Sequence, residues 1–155
     1  ADMGGPLNKT AYAFGVAEVT AFSAAAGQYQ VMAAVMAGGM VPPLGIALCT
    51  TLFPSYFTEE ERKKGKSNYM MGLTFNTEGA IPFAERHACV RAACLLGSAV
   101  SGALSMFFGC GVMVPHGGIF VIWMISNPIG FLAAVIAGSV ITMMAMGIGV
   151  KRKRV

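Results

Sequence analysis

The sequence predicts an all-α membrane protein of about four transmembrane helices and two short re-entrant or interfacial segments. Three observations carry that prediction. Charged residues make up 12% of the chain and hydrophobic residues 55%, where a soluble domain averages about 25% charged. The mean hydropathy is +0.65. The charges also fall in a few short clusters separated by long uncharged runs, the distribution of a chain that crosses a bilayer.

The first apolar segment runs from about Ala11 to Ala26, between Lys9 and Gln28-Tyr29-Gln30, and is rich in Ala and Gly, which favours close helix packing. A second runs from Val31 to Phe53. Pro42 and Pro43 remove two backbone donors from it, so a kinked or interrupted helix is expected, with the freed carbonyls covered by protein or facing a cavity. "PSYFTEEERKKGKSN", from Pro54 to Asn68, is polar. Within it Thr58 reads as an N-cap followed by acidic first-turn residues Glu59, Glu60 and Glu61, on a solvated loop or a docking surface.

Tyr69 to Ala84 is apolar but has only 16 residues. A helix of that length reaches about 24 Å, short of the roughly 30 Å hydrocarbon core. With Gly72, Gly79 and Pro82 inside it, the segment reads as re-entrant or broken. Ala92 to Val114 is a clean span dotted with Gly97, Ser98, Ser101, Gly102, Ser105 and Gly109 at spacings that suit small-residue helix contacts. "VPHGGIFVIWMISNP" is a second short apolar segment, and Ile129 to Val150 spans again before Lys151-Arg152-Lys153-Arg154.

That terminal basic cluster places the C-terminus in the cytoplasm by the positive-inside rule. Counting spans backwards then puts Arg86, Arg91, the basic Pro54 to Asn68 stretch and Lys9 on the same side. The basic residues therefore flank a bilayer, and the net charge of +4 does not point to nucleic acid. The opening Ala1-Asp2-Met3-Gly4-Gly5-Pro6 has neither a basic n-region nor an apolar core, so it is not a signal peptide. It reads as the start of a piece of a longer protein.

Glu78 is the leading candidate for chemistry. An ionisable group at membrane depth costs a few kcal/mol and usually lines a pathway or site, and Gly79 and Pro82 make the backbone around it irregular. The competing role is structural: a cap, or a partner for Arg86 or Arg91. His116 lies in "PHGG" at the mouth of the other short segment, where two glycines let a ligand approach the backbone closely. Glu18 is a second carboxylate within an apolar segment, and Asn8 and Lys9 stand at a membrane boundary.

Cys49, Cys89, Cys94 and Cys110 show no C-x-x-C pair and no His at zinc spacing, so no metal and no cofactor is expected. Phosphate-loop, nucleophile-elbow and zincin signatures are also absent, and no catalytic residue is assigned.

"GGPLNKTAYAFG", "GGMVPPLGIAL", "GKSNYMMGLTFNTEGAIPFA", "GSAVSGALSMFFG" and "PHGGIF", in this order, resemble the C-terminal half of the fructose-type enzyme IIC component of the bacterial phosphotransferase system over nearly the whole of residues 1–155. The resemblance implies a multi-pass permease of the bacterial inner membrane, homodimeric as a full unit. It would bind and translocate a hexose, with fructose the family's usual substrate, and IIA and IIB partners would deliver the phosphoryl group from a phosphocysteine on IIB. None of the four cysteines here inherits that role. In the wider superfamily a Glu in a short re-entrant segment contacts sugar hydroxyls, which maps onto Glu78 of "NTEGAIPF", with Gly79, His116 and Asn8 around it.

The family's Asp-Pro-x-Arg element is missing. Glu85-Arg86-His87-Ala88-Cys89-Val90-Arg91 stands there instead, which bears on the geometry just behind Glu78. Two other readings remain open: a structural or degenerate membrane subunit without a sugar site, and an ion-coupled transporter using Glu18 and Glu78.

Overall fold

A computed structural model describes residues 5–20, 28–114 and 118–152. The described residues form six α-helices: α1 Pro6–Thr20, α2 Gln28–Leu52, α3 Glu59–Leu73, α4 Ile81–Arg86, α5 Ala88–Phe107 and α6 Pro128–Arg152. Short 3-10 turns lie between α2 and α3, between α3 and α4 and between α5 and α6. The only β feature among these residues is an isolated bridge between Val112 and Ile125. The molecule is an all-α membrane protein, and α2, α5 and α6 are long and apolar enough to cross a bilayer.

α1 begins earlier than the apolar run suggests and shows 15 helical residues, about 22 Å of helix. The rest of that predicted span, at 21–26, lies outside the described residues.

The helix ends follow local chemistry. α3 opens with a full capping box: the Thr58 hydroxyl accepts from the Glu61 amide at 3.4 Å, and the Glu61 carboxylate accepts from the Thr58 amide at 2.9 Å. The helix then runs through the polar stretch and on into the apolar one, because no glycine or proline signal separates them strongly enough to stop it. α5 stops at Phe107, seven residues short of the predicted Val114. Gly109 takes φ +63, while the Cys110 amide reaches Ser105 O and the Gly109 amide reaches Met106 O, both at 3.0 Å. That is a Schellman stop. Asn127 caps α6 by accepting from the Gly130 amide at 3.1 Å, and its own amide donates to Phe108 O, tying the end of α5 to the start of α6.

α2, α5 and α6 pack on one another, and α3 packs on α2. Close contacts fix the directions. Gly138 of α6 lies so near α5 that a Cβ there would come within 2.7 Å of Gly97 O, and the Thr142 hydroxyl donates to Ala93 O at 3.4 Å. α5 and α6 are therefore antiparallel, with Gly97, Ser101 and Ser105 on the buried face, as the small-residue spacing predicts. Gly72 of α3 packs on Leu44 and Gly65 on Thr50, so α3 runs antiparallel to α2.

Of the two outcomes expected for α2, a kink or an interruption, the interruption does not occur: the helix continues through Pro42 and Pro43. Each proline leaves the carbonyl four residues earlier without its N–H donor, at Gly38 and Gly39. The Ser98 hydroxyl of α5 donates to Gly38 O at 2.8 Å, so a neighbouring helix supplies one of the missing donors.

Candidate functional site

α3 enters alongside the C-terminal part of α2 and ends beside its middle. The chain breaks over Thr74 to Thr77, and the 3-10 turn Glu78–Ala80 and α4 carry it back to the level where α3 began. The two arms are clasped near both ends. Asn68, buried, donates to Gly79 O at 3.1 Å. At the open end Arg86 reaches the Glu61 carboxylate at 3.2 Å, and His87 Nε2 lies 3.7 Å from the same oxygen. The apolar stretch Tyr69 to Ala84 is thus broken, as its length, glycines and proline predict, and it forms the tip and return arm of a hairpin that enters and leaves at one end of the bundle.

Glu61 is the pivot of the open end. Burial alone would push its carboxyl up, but the Thr58 amide, the Arg86 guanidinium and the Thr58 hydroxyl outweigh this. They hold it below its ordinary value of 4.5. Within the stretch Glu85 to Arg91, Arg86 and His87 thus close the hairpin behind Glu78.

The break at the tip is a second Schellman stop. The Asn76 amide donates to Met71 O at 2.7 Å and the Phe75 amide to Gly72 O at 3.3 Å, with Phe75 in the left-handed region at φ 63. Glycine usually fills that position, since a side chain there costs about 1–2 kcal/mol. Phe75 is held by its ring, which packs so closely on Gly39 of α2 that a Cβ at Gly39 would lie 2.5 Å from it. Asn76 Oδ1 then accepts from the Glu78 amide at 3.0 Å, turning the chain into the return arm. The Glu78 side chain is exposed and makes no hydrogen bond or ion pair among the described residues.

Beside the tip, α1, α2 and α5 enclose a cleft of about 160 Å³ whose lining includes Asn8, Gly38, Gly39, Pro42, Thr77 and Ser98. A single water needs roughly 10–15 Å³ by this kind of measure, so the cleft admits several waters or part of a small polar solute. A larger cavity of about 370 Å³ lies between α2, α3 and α6 and is lined by side chains such as Leu44, Leu48, Ile122, Phe131 and Val135. It is almost wholly apolar, and a sugar there would lose its water without gaining hydrogen bonds.

Of the residues singled out from sequence, Asn8 lines the smaller cleft and Glu78 follows Thr77, which also lines it. Gly79 is engaged elsewhere: its carbonyl serves Asn68, and a Cβ on it would collide with the Asn68 amide and meet Met71 Sδ at 2.5 Å. His116 lies outside the described residues. So does the side chain of Glu18, although its backbone belongs to α1. The neighbouring Gly118 is described, with φ +102 and its Cα so close to α3 that a Cβ would lie 2.7 Å from Leu73 O. This brings the end of the "PHGG" motif against the residues that precede the tip.

Sequence reasoning passes over Thr77, Asn68 and Ser98. Only Ser98 carries a signal, as a hydroxyl among small residues of an apolar span.

No protein-family model matches the chain, and no solved structure matches it significantly. Relatives of known name do. The chain is 48% identical over 147 residues to the fructose permease IIC component of Bacillus amyloliquefaciens, covering 95% of this chain and 47% of the relative. It is 47% identical to the fructose-specific EIIABC component of Bacillus subtilis (strain 168), over 95% of this chain and 22% of the relative. Identity is 44% to the fructose-specific EIIB'BC component of Escherichia coli (strain K12), over 93% and 25%. The chain is a homologue of the fructose-type enzyme IIC components.

This IIC homologue spans under half the length of each of these relatives. Its "NTEGAIPFA" motif forms the hairpin tip and the start of the return arm, its "GGMVPPLG" motif forms the α2 wall facing that tip, and "GSAVSG" contributes Ser98 to the same cleft. Three separated segments that carry the resemblance therefore converge on one region.

Proposed function

We propose that the chain is the C-terminal part of a fructose-type IIC permease, in which a hexose, most simply fructose, binds at the hairpin tip and is phosphorylated during uptake by a IIB partner fed by IIA. The observation that carries this reading is the Glu78 carboxylate at the broken tip. It is without a partner among the described residues, beside a cleft midway along α2 that Asn8, Thr77 and Ser98 line with polar side chains, and flanked by helices apolar enough to cross a bilayer. A carboxylate accepts hydrogen bonds from sugar hydroxyls more strongly than a neutral acceptor does. Asn8 and Thr77 add polar contacts, and His116, on the motif that ends against the tip, is assigned to the same site.

The end of the bundle that carries the C-terminus of α6, the start of α3 and the start of α5 bears Lys151, Arg62, Lys63, Lys64, Arg86 and Arg91. That charge supports a cytoplasmic placement in the inner membrane, where IIB would dock. The full unit is a homodimer in this reading.

The test is uptake into vesicles that hold the protein, with the IIA and IIB partners and a phosphodonor inside. Fructose phosphate should accumulate, and collapsing the proton gradient should leave the rate unchanged. Uptake that needs no phosphodonor and falls with the proton gradient would overturn the reading in favour of ion coupling through Glu18 and Glu78. No uptake and no sugar binding would favour a purely structural subunit.

A further inference from the structure

We propose that the Pro42–Pro43 step of α2 supplies a backbone sugar-binding element: one freed carbonyl, at Gly38, is occupied by the Ser98 hydroxyl, and the other, at Gly39, accepts a hydroxyl of the bound hexose. This rests on the sugar-permease reading of the same cleft. Proline has no N–H, so neither Gly38 O nor Gly39 O receives the helical bond from four residues on. A single proline is common in membrane helices, but two in succession leave two adjacent acceptors, which within a bilayer must be met by protein or by what occupies a cavity.

The protein answers the first with a side chain. Ser98 Oγ donates to Gly38 O at 2.8 Å across 60 residues of sequence, and this is the contact a sugar hydroxyl makes with a carbonyl. Among the described residues no side chain plays the same part at Gly39. Gly39, Gly38, Pro42 and Ser98 all line the cleft beneath the tip, together with Thr77 and Asn8. Gly39 is also the residue on which the Phe75 ring packs. The acceptor thereby packs against the turn that leads to Glu78, and Thr77, the residue before Glu78, lines the same cleft. A backbone acceptor cannot change protonation state, so this element contributes geometry while Glu78 contributes charge. Ser98 is a positioning residue here: it satisfies Gly38 O and so leaves Gly39 O as the acceptor without a side-chain donor.

Pro43→Ala restores an N–H within reach of Gly39 O and so competes with the sugar. Losing one neutral hydrogen bond weakens binding by roughly 3- to 10-fold. The experiment measures fructose and its singly deoxygenated analogues on the full chain in lipid nanodiscs, wild type and Pro43→Ala. One deoxy analogue should bind the wild type roughly 3- to 10-fold less well than fructose does, yet bind Pro43→Ala as well as fructose does.

A direct reading on the wild type guards against a variant that fails to fold. Gly39–Met40 is the only Gly–Met step in the sequence, so carbonyl-13C glycine with 15N methionine isolates the Gly39 carbonyl signal, which should move on adding fructose. If fructose binds, Glu78→Gln weakens it, and yet the Gly39 signal stays still and Pro43→Ala binds normally, this inference falls while the permease reading stands. If the wild type binds no fructose, both fall.

Discussion

Asn68→Ala should loosen the hairpin from within, and the structure fixes how. Asn68 is buried at 1% exposure and its amide donates to Gly79 O at 3.1 Å, joining the two arms across 11 residues just above the tip. Truncation leaves Gly79 O without its donor, a loss of about 1–3 kcal/mol. Gly79→Ala attacks the same contact from the other side, because the added methyl would collide with the Asn68 amide and meet Met71 Sδ at 2.5 Å. Overpacking of this kind costs about 1–3 kcal/mol. The two changes share one volume, so the double variant should be less destabilised than the sum of the singles, by a coupling of about 0.5–3 kcal/mol. Thermal unfolding in detergent, followed by near-ultraviolet circular dichroism, gives all four stabilities under one condition. Strict additivity, or a Gly79→Ala protein that melts with the wild type, would refute the packing described here.

Glu61 gives a pH-dependent prediction. Its folded pKa lies below its ordinary 4.5, so its contribution is complete above that value and is lost as pH falls below 4.5 through the folded pKa. Glu61→Gln should flatten that part of the stability profile, and Glu61→Ala, which also removes the capping box, should cost about 1–3 kcal/mol at neutral pH by thermal melting. At the tip, Phe75→Gly should be less destabilising than Phe75→Ala, the reverse of the usual order. Both lose the ring's packing on Gly39, but only glycine relieves about 1–2 kcal/mol of left-handed strain. Gly138→Leu should force α5 from α6 and lower the melting temperature or prevent folding, since even a Cβ would lie 2.7 Å from Gly97 O.

Features set by neighbouring residues are legible in the amino-acid order alone. Thr58 with Glu61 marks the start of α3, Asn127-Pro128 stands at the start of α6, and the small residues of α5 mark its buried face. Features set by distant residues are not. Nothing near Pro42 and Pro43 says that Ser98 will satisfy Gly38 and keep α2 continuous. Phe75 in the left-handed region contradicts its local preference and is intelligible only with Gly39 in view.

Glu85 to Arg91 reads in sequence as no more than a basic anchor, because the carboxylate that Arg86 and His87 engage, Glu61, lies 25 residues away from Arg86. The candidate site shows the same division. Glu78 is conspicuous as a charge in an apolar run, whereas Thr77 and Ser98 are small hydroxyl residues whose importance lies in the cleft they share. Gly79 reads as a ligand contact, but its packing and its carbonyl are committed to Asn68.

The most direct test of the central claim is fructose binding by Glu78→Gln in the full chain, compared with Glu85→Gln. Glutamine keeps the size of the side chain and removes the charge, and both carboxylates are exposed, so folding is preserved in each variant. The account predicts roughly a 5- to 10-fold loss of affinity in Glu78→Gln, as expected when a charge-assisted hydrogen bond of about 1.5–3 kcal/mol becomes a neutral one of about 0.5–1.5 kcal/mol, and wild-type binding in Glu85→Gln. Equal affinity in all three proteins would contradict it.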